Sequence, residues 1–138
     1  MIILDTNVLS ELLRPRPDGR VIAWFDAQPE EELFTTAITV QESFYGAELL
    51  PDSPRKSSLM SRLEQMYDEI FAGRILPFDD ISARYTAVLL GHSRRNGVTI
   101  HQANAQIAGI VAQHGAALAT RNTRDFERAH IRIADPWN

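Results

Sequence analysis

The chain has 138 residues, 44% of them apolar, enough to bury one ordinary core, and it is expected to form a single domain over residues 1–138. It has no cysteine, which excludes a disulfide framework, a thiolate metal site and a cysteine nucleophile. Fourteen basic and 18 acidic residues leave a net charge of −4, which argues against holding nucleic acid through a generally basic surface but leaves room for a carboxylate metal site.

In chain order, "MIILD" at residues 1–5 reads as a buried strand, followed by a short helix over Thr6–Leu13. The run "RPRPDG" breaks the chain with two prolines and a glycine, and Val21–Ala27 form a second short helix. "ELFTT" is a strand and Ile38–Leu50 a helix; after the "PDSP" loop comes a longer amphipathic helix over Lys56–Phe71. "RILPF" is the third strand, Ile81–Asn96 the next helix, and "TIHQANAQIAGIVA" another, with Ile107, Ile110 and Val111 at helical spacing. "AALAT" gives a strand, "RNTRDFE" a polar turn and "IRIAD" a last extended run. Strands alternating with helices point to an α/β fold with a mainly parallel sheet covered on both faces. In such sheets ligands gather beyond the carboxyl ends of the strands, at a switch in strand order. No run approaches the roughly 18 apolar residues of a membrane span. The opening run lacks a basic leader region, so no signal peptide is expected and a cytoplasmic location is the default.

Several polar residues fall at strand ends or at the helix starts that follow. Asp5 closes the first strand, where it suits either an N-cap or a site carboxylate. Glu42 shares a helix face with Ile38, Tyr45 and Leu49, which sets a carboxylate in an apolar stripe. "TVQE" also reads as a capping box with Thr39 as cap, which would put Glu42 in the first turn. Asn104 opens the row that continues into the apolar Ile107, Ala108 and Val111. Asn122 and Asp125 lie in the turn after "AALAT", where Asx turns are ordinary, and Asp79 or Asp80 suits the N-cap of the Ile81 helix. His92, His101, His114 and His130 show no ligand spacing. Together, Asp5, Glu42, Asn104 and Asn122 occupy comparable places, and several oxygen donors in one crevice are what Mg²⁺ or Mn²⁺ requires.

With these segments in view, the chain resembles the PIN-domain ribonucleases, and within them the VapC toxins of bacterial type II toxin–antitoxin pairs. The resemblance is carried by "MIILDTNVLSELLRP", "TTAITVQESFYGAELLP", "LPFDDISARYTAVL", "ANAQIAGIVAQHGA" and "ALATRNTRDFE", and it spans essentially the whole chain. It implies a three-layer α/β/α fold, a site that binds one or two Mg²⁺ or Mn²⁺ ions, and cleavage of RNA. Position by position, it assigns the four catalytic positions to Asp5, Glu42, Asn104 and Asn122, the first three as metal ligands, with Asp125 and Asp79 as secondary candidates. The family places Asp in a "DAQIA"-like motif where this chain has "NAQIA", so Asn104 departs from the pattern at the centre of the site. An amide keeps a carbonyl oxygen but removes one negative charge, so metal affinity should fall.

Two functions follow as expectations. One is a metal-dependent endoribonuclease toxin, weakened or silenced by Asn104. The other is a silent binding module that pairs with its antitoxin in an operator-binding autorepressor complex. The resemblance also implies a homodimer, an antitoxin partner, operator DNA reached only through that antitoxin, and no membrane association. Leu9, Leu12, Trp24 and Phe25 are candidates for a partner groove, although core is the plainer reading of them. A phosphohydrolase of the haloacid-dehalogenase type fits poorly, because position 7 is Asn7 rather than a second Asp and Lys56 is the only lysine. The same shortage of lysine argues against a receiver domain.

Overall fold

A computed structural model describes residues 1–138. Its strands are β1 (Ile2–Leu4), β2 (Leu33–Thr36), β3 (Ile75–Leu76), β4 (Ala117–Ala119) and β5 (Arg132–Ala134). Its helices are α1 (Thr6–Leu12), α2 (Gly19–Asp26), α3 (Ala37–Glu48), α4 (Pro54–Gln65), α5 (Asp80–Arg95), α6 (Gln102–His114) and α7 (Thr123–Phe126). The strands form one parallel sheet in the order β3-β2-β1-β4-β5. The chain moves outward from β1 through β2 to β3, then returns to the other side of β1 for β4 and β5. The switch in order therefore lies between β1 and β4.

Alternation along the strands divides the apolar residues between two faces. Leu4 and Ala119 join Val8, Leu9, Val21, Leu63, Tyr67 and Phe71 on one side, under α1, α2 and α4. Ile3 and Leu118 join Ile107, Ile110, Val111 and Phe126 on the other, under α6 and α7. The expected three layers with a parallel centre are thus present. The tightest helix pair is α5 against α6: a Cβ added at Gly109 would lie 2.0 Å from Thr86 Oγ1 and 2.7 Å from the Ser82 carbonyl oxygen. Only glycine lets the two backbones approach this closely.

Most expected elements form, with shifts at their ends. The helix expected over Lys56–Phe71 starts earlier, because Ser53 caps it by accepting from Lys56 N at 3.2 Å and Pro54 takes its first turn. It finishes in a wider π-type turn over Met66–Ile70. The third strand shrinks to Ile75–Leu76, since Pro77 has no N–H to continue a ladder. The helix expected from "TIHQANAQIAGIVA" begins at Gln102 and runs on to His114, where Gly115 closes it in the left-handed region at φ 57°. The capping box expected at Thr39 is not formed. Thr36, the last residue of β2, caps α3 instead, its hydroxyl accepting from Thr39 N at 3.1 Å, and this places Glu42 in the second turn. The stripe through Glu42 is not a core stripe either: Tyr45 and Leu49 are 62% and 68% exposed.

Candidate active site

β1 ends by handing Asp5 to α1. The Asp5 backbone N–H still donates to Ala119 O at 2.9 Å, while its side chain caps the helix by accepting from Thr6 N at 2.8 Å. The other carboxylate oxygen accepts from Thr120 Oγ1 at 2.8 Å and Asn7 Nδ2 at 3.2 Å. Asp5 is nevertheless buried, and its pKa is raised from 3.8: desolvation outweighs the donors that favour the charged form, and the nearby Glu42 charge adds to the rise. Glu42 reaches the same place from α3, where its Oε1 accepts from Thr6 Oγ1 at 2.7 Å. Neither carboxylate is paired with a cationic side chain.

The far wall comes from β4 and α6. Thr120 Oγ1 also accepts from Asn122 N at 3.0 Å, and Asn7 Oδ1 accepts from Arg121 N at 3.1 Å, so the two strand ends are laced together. Asn122 and Asn104 both face the crevice that holds Asp5 and Glu42, a cavity of about 490 Å³ with Trp137 as its one apolar lining residue. All four principal sequence candidates therefore meet in one polar crevice at the switch point. Asp125 stands beside it, accepting from Asn122 Nδ2 at 2.7 Å and Asn104 Nδ2 at 3.5 Å. Asp79 does not line the crevice: it forms a capping box with Ser82 on α5 and accepts from Gln113. Those donors hold its carboxyl below the usual range, the Ser82 backbone N–H contributing most.

Sequence reading missed several participants. Asn7, Ser10, Glu11 and Arg14 all line the crevice, and their spacing of three, one and three is a polar stripe on and just beyond α1 that could have been read as such. Glu11 is buried, 3.4 Å from the Arg14 guanidinium. Arg121 lines the crevice with its guanidinium 5.1 Å from the centre of the Trp137 ring. Thr6 and Thr120 act through single hydroxyl contacts that no local pattern announces.

As a donor set the crevice offers carboxylate oxygens from Asp5 and Glu42 and amide oxygens from Asn104 and Asn122, neither of which accepts a hydrogen bond. An all-oxygen set around two unneutralised carboxylates fits a hard divalent cation.

Comparison with known proteins agrees with this geometry. The PIN domain family model matches residues 2–131. The chain is 43% identical over 138 residues to Toxin FitB of Neisseria gonorrhoeae, covering 100% of this chain and 99% of that protein. It is 42% identical over 137 residues to VapC ribonuclease Y4jK of Sinorhizobium fredii, covering 99% and 98%. A solved structure of FitAB bound to an IR36 DNA fragment superposes with a TM-score of 0.93 at 42% identity, covering 100% of this chain and 96% of that one.

Proposed function

The chain belongs to the PIN-domain family, and on that premise we propose that it is a divalent-metal-dependent endoribonuclease of a type II toxin–antitoxin module, its activity lowered by Asn104. The observation that carries this reading is the meeting of Asp5 and Glu42 in one polar crevice where neither forms an ion pair, the two arginines of its wall lying against Glu11 and Trp137. Two such carboxylates are costly together unless a cation joins them.

Asp5, Glu42 and Asn104 would hold Mg²⁺ or Mn²⁺, with the Asn122 amide oxygen beside them. When bound, the ion supplies an activated water and charge stabilisation for hydrolysis of a phosphodiester. The protein's own part is orientation. Thr120, Asn7 and the Thr6 N–H fix the Asp5 carboxylate, and the Thr6 hydroxyl fixes Glu42, before any ligand arrives. Arg14 and Arg121, on the crevice wall, supply positive charge where an RNA phosphate would enter. With amides at 104 and 122 the chain brings two carboxylates from the four catalytic positions, and weaker ion binding follows.

The partners assigned on this reading are RNA as substrate, a second copy of the chain, and an antitoxin through which operator DNA is reached. The solved structure of FitAB bound to an IR36 DNA fragment supports the antitoxin and the DNA reached through it. We read the chain as one domain acting in the cytoplasm; no helix is long and apolar enough to cross a membrane. Asn104 itself favours a second reading, a module that keeps its antitoxin and no longer cleaves.

One experiment separates the two. Cleavage of structured RNA in Mn²⁺ or Mg²⁺ is compared for the native chain and Asn104→Asp. Cleavage by both, stronger in Asn104→Asp, is the expected result. Cleavage by Asn104→Asp alone supports the silent module, and a folded Asn104→Asp protein without metal-dependent cleavage overturns the nuclease assignment.

A further inference from the structure

The side chain of Asn122 behaves unlike an ordinary cap. It occupies the N-cap position of α7, where an asparagine normally accepts a backbone N–H through Oδ1, yet it makes no such bond. Its Nδ2 is instead directed at Asp125 Oδ2, 2.7 Å away. Asn104, which arrives on α6 from 21 residues earlier in the chain, turns its own Nδ2 toward that same oxygen at 3.5 Å. Two amides on separate helices thus spend their nitrogens on one carboxylate.

An amide is planar, with nitrogen and oxygen on opposite prongs, so fixing Nδ2 directs Oδ1 the other way. Both asparagines line the crevice and Asp125 does not; it lines a neighbouring cavity beyond them with Arg124 and Arg128. Asp125 therefore grips both amides from behind. A free asparagine presents its NH₂ as readily as its oxygen, and an NH₂ facing the crevice would repel a cation. Asp125 also forms no ion pair, so its charge stays available to the site through the two amides.

We infer that Asp125 is a positioning residue that turns Asn104 and Asn122 into oxygen donors toward the crevice and returns, one layer out, the negative charge missing at position 104. The inference rests on the metal-dependent reading above. The competing account is a local turn contact between Asn122 and Asp125, in which Asn104 plays no part.

The test measures Mn²⁺ binding to the full chain by calorimetry, with apo melting curves and side-chain amide NMR signals recorded alongside. Variants are Asp125→Ala, Asn104→Asp, Asn104→Asp/Asp125→Ala, the exchanged pair Asn104→Asp/Asp125→Asn, and Glu42→Gln as the control on the site itself. Asp125→Ala is expected to weaken Mn²⁺ binding at least about tenfold, as loss of an orienting partner does. It should shift the Nδ2 signals of both asparagines while leaving the apo fold intact. In the Asn104→Asp background, where Asn122 alone still depends on it, Asp125→Ala should weaken binding by a clearly smaller factor than in the native chain. The exchanged pair should bind at least as tightly as the native chain, because the amide introduced at 125 can donate to the carboxylate introduced at 104. Mn²⁺ binding that Glu42→Gln abolishes but Asp125→Ala changes less than twofold overturns the inference alone. An equal loss in both backgrounds, or an Asn104 signal that does not move, assigns Asp125 to its local turn and overturns it as well. If neither the native chain nor Asn104→Asp binds Mn²⁺, the metal reading and the inference fall together.

Discussion

Thr120→Val removes one oxygen atom and nearly preserves shape, yet that oxygen carries three contacts at the centre of the site. It donates to Asp5 Oδ2 at 2.8 Å and accepts from Asn122 N at 3.0 Å and Asn7 Nδ2 at 3.2 Å. A hydrogen bond to a buried charge contributes roughly 1.5–3 kcal/mol, and the two accepted bonds, partly recoverable by water, add less; a loss of about 3 kcal/mol follows. For a chain of this size that lowers Tm by roughly 10 °C. The loss also depends on pH. The folded-state pKa of Asp5 is already raised above 3.8, so its contribution to stability is fully present below 3.8 and is lost as pH rises through the folded value. Removing the Thr120 donor raises that value further. The Val variant should therefore be most destabilised near neutral pH and recover toward the native chain as pH falls to about 4. Urea denaturation at pH 7.5 and pH 4.5 measures both quantities, with Thr120→Ser, which keeps the hydroxyl, expected near native. A deficit below about 0.5 kcal/mol at neutral pH, or one that does not shrink on acidification, would refute the role given to Thr120.

Gly109→Ala forces a methyl group to 2.0 Å from Thr86 Oγ1 and 2.7 Å from the Ser82 carbonyl, so α5 must retreat from α6. Overpacking of this kind should lower stability by about 1–3 kcal/mol in denaturant titrations, and Thr86→Ala should restore only part, because the Ser82 backbone remains in place. Tyr67, buried against Ser43, has its pKa pushed up to about 12. Its stabilising contribution is present below pH 10 and lost as pH rises through about 12, and alkaline denaturation of Tyr67→Phe should lack that component. Asn104→Asp would set a carboxylate against Asp125, which now accepts from Asn104 at 3.5 Å. The apo protein should lose about 1 kcal/mol, and Mn²⁺ should stabilise this variant more than the native chain in melting curves.

Asp5 was legible because it directly follows a short apolar run, and Asn122 because it lies in the turn three residues past another such run; a parallel sheet puts such residues at its carboxyl edge. Asn104 was legible from its place at the head of the buried Ile107 and Val111 row. Glu42 was found for a reason only partly right. "TTAITVQE" contains three threonines able to cap, and sequence favours Thr39 because Glu42 completes a box with it. Thr36 wins because it is the last extended residue of β2, at φ −124°, so α3 can begin immediately after it. Glu42 is then aimed not by its helix end but by the Thr6 hydroxyl, 36 residues away. Thr120 escaped notice for the same reason: its partners Asp5 and Asn7 lie 115 and 113 residues away, and a single hydroxyl has no periodicity to betray it.

The charge pattern explains how a crevice with an amide at position 104 is well ordered. Neither Asp5 nor Glu42 forms an ion pair; burial above all, with a smaller contribution from the Glu42 charge, raises the pKa of Asp5. A third carboxylate at position 104 would crowd Asp125. The amide instead donates to Asp125, and Asn122 donates beside it, so this wall of the crevice is held by attraction. On the proposed reading, such an arrangement would trade affinity for the ion against stability without it. On the metal-dependent reading proposed above, Asn104 and Asp125 would set that balance, and their exchange leaves the total charge unchanged.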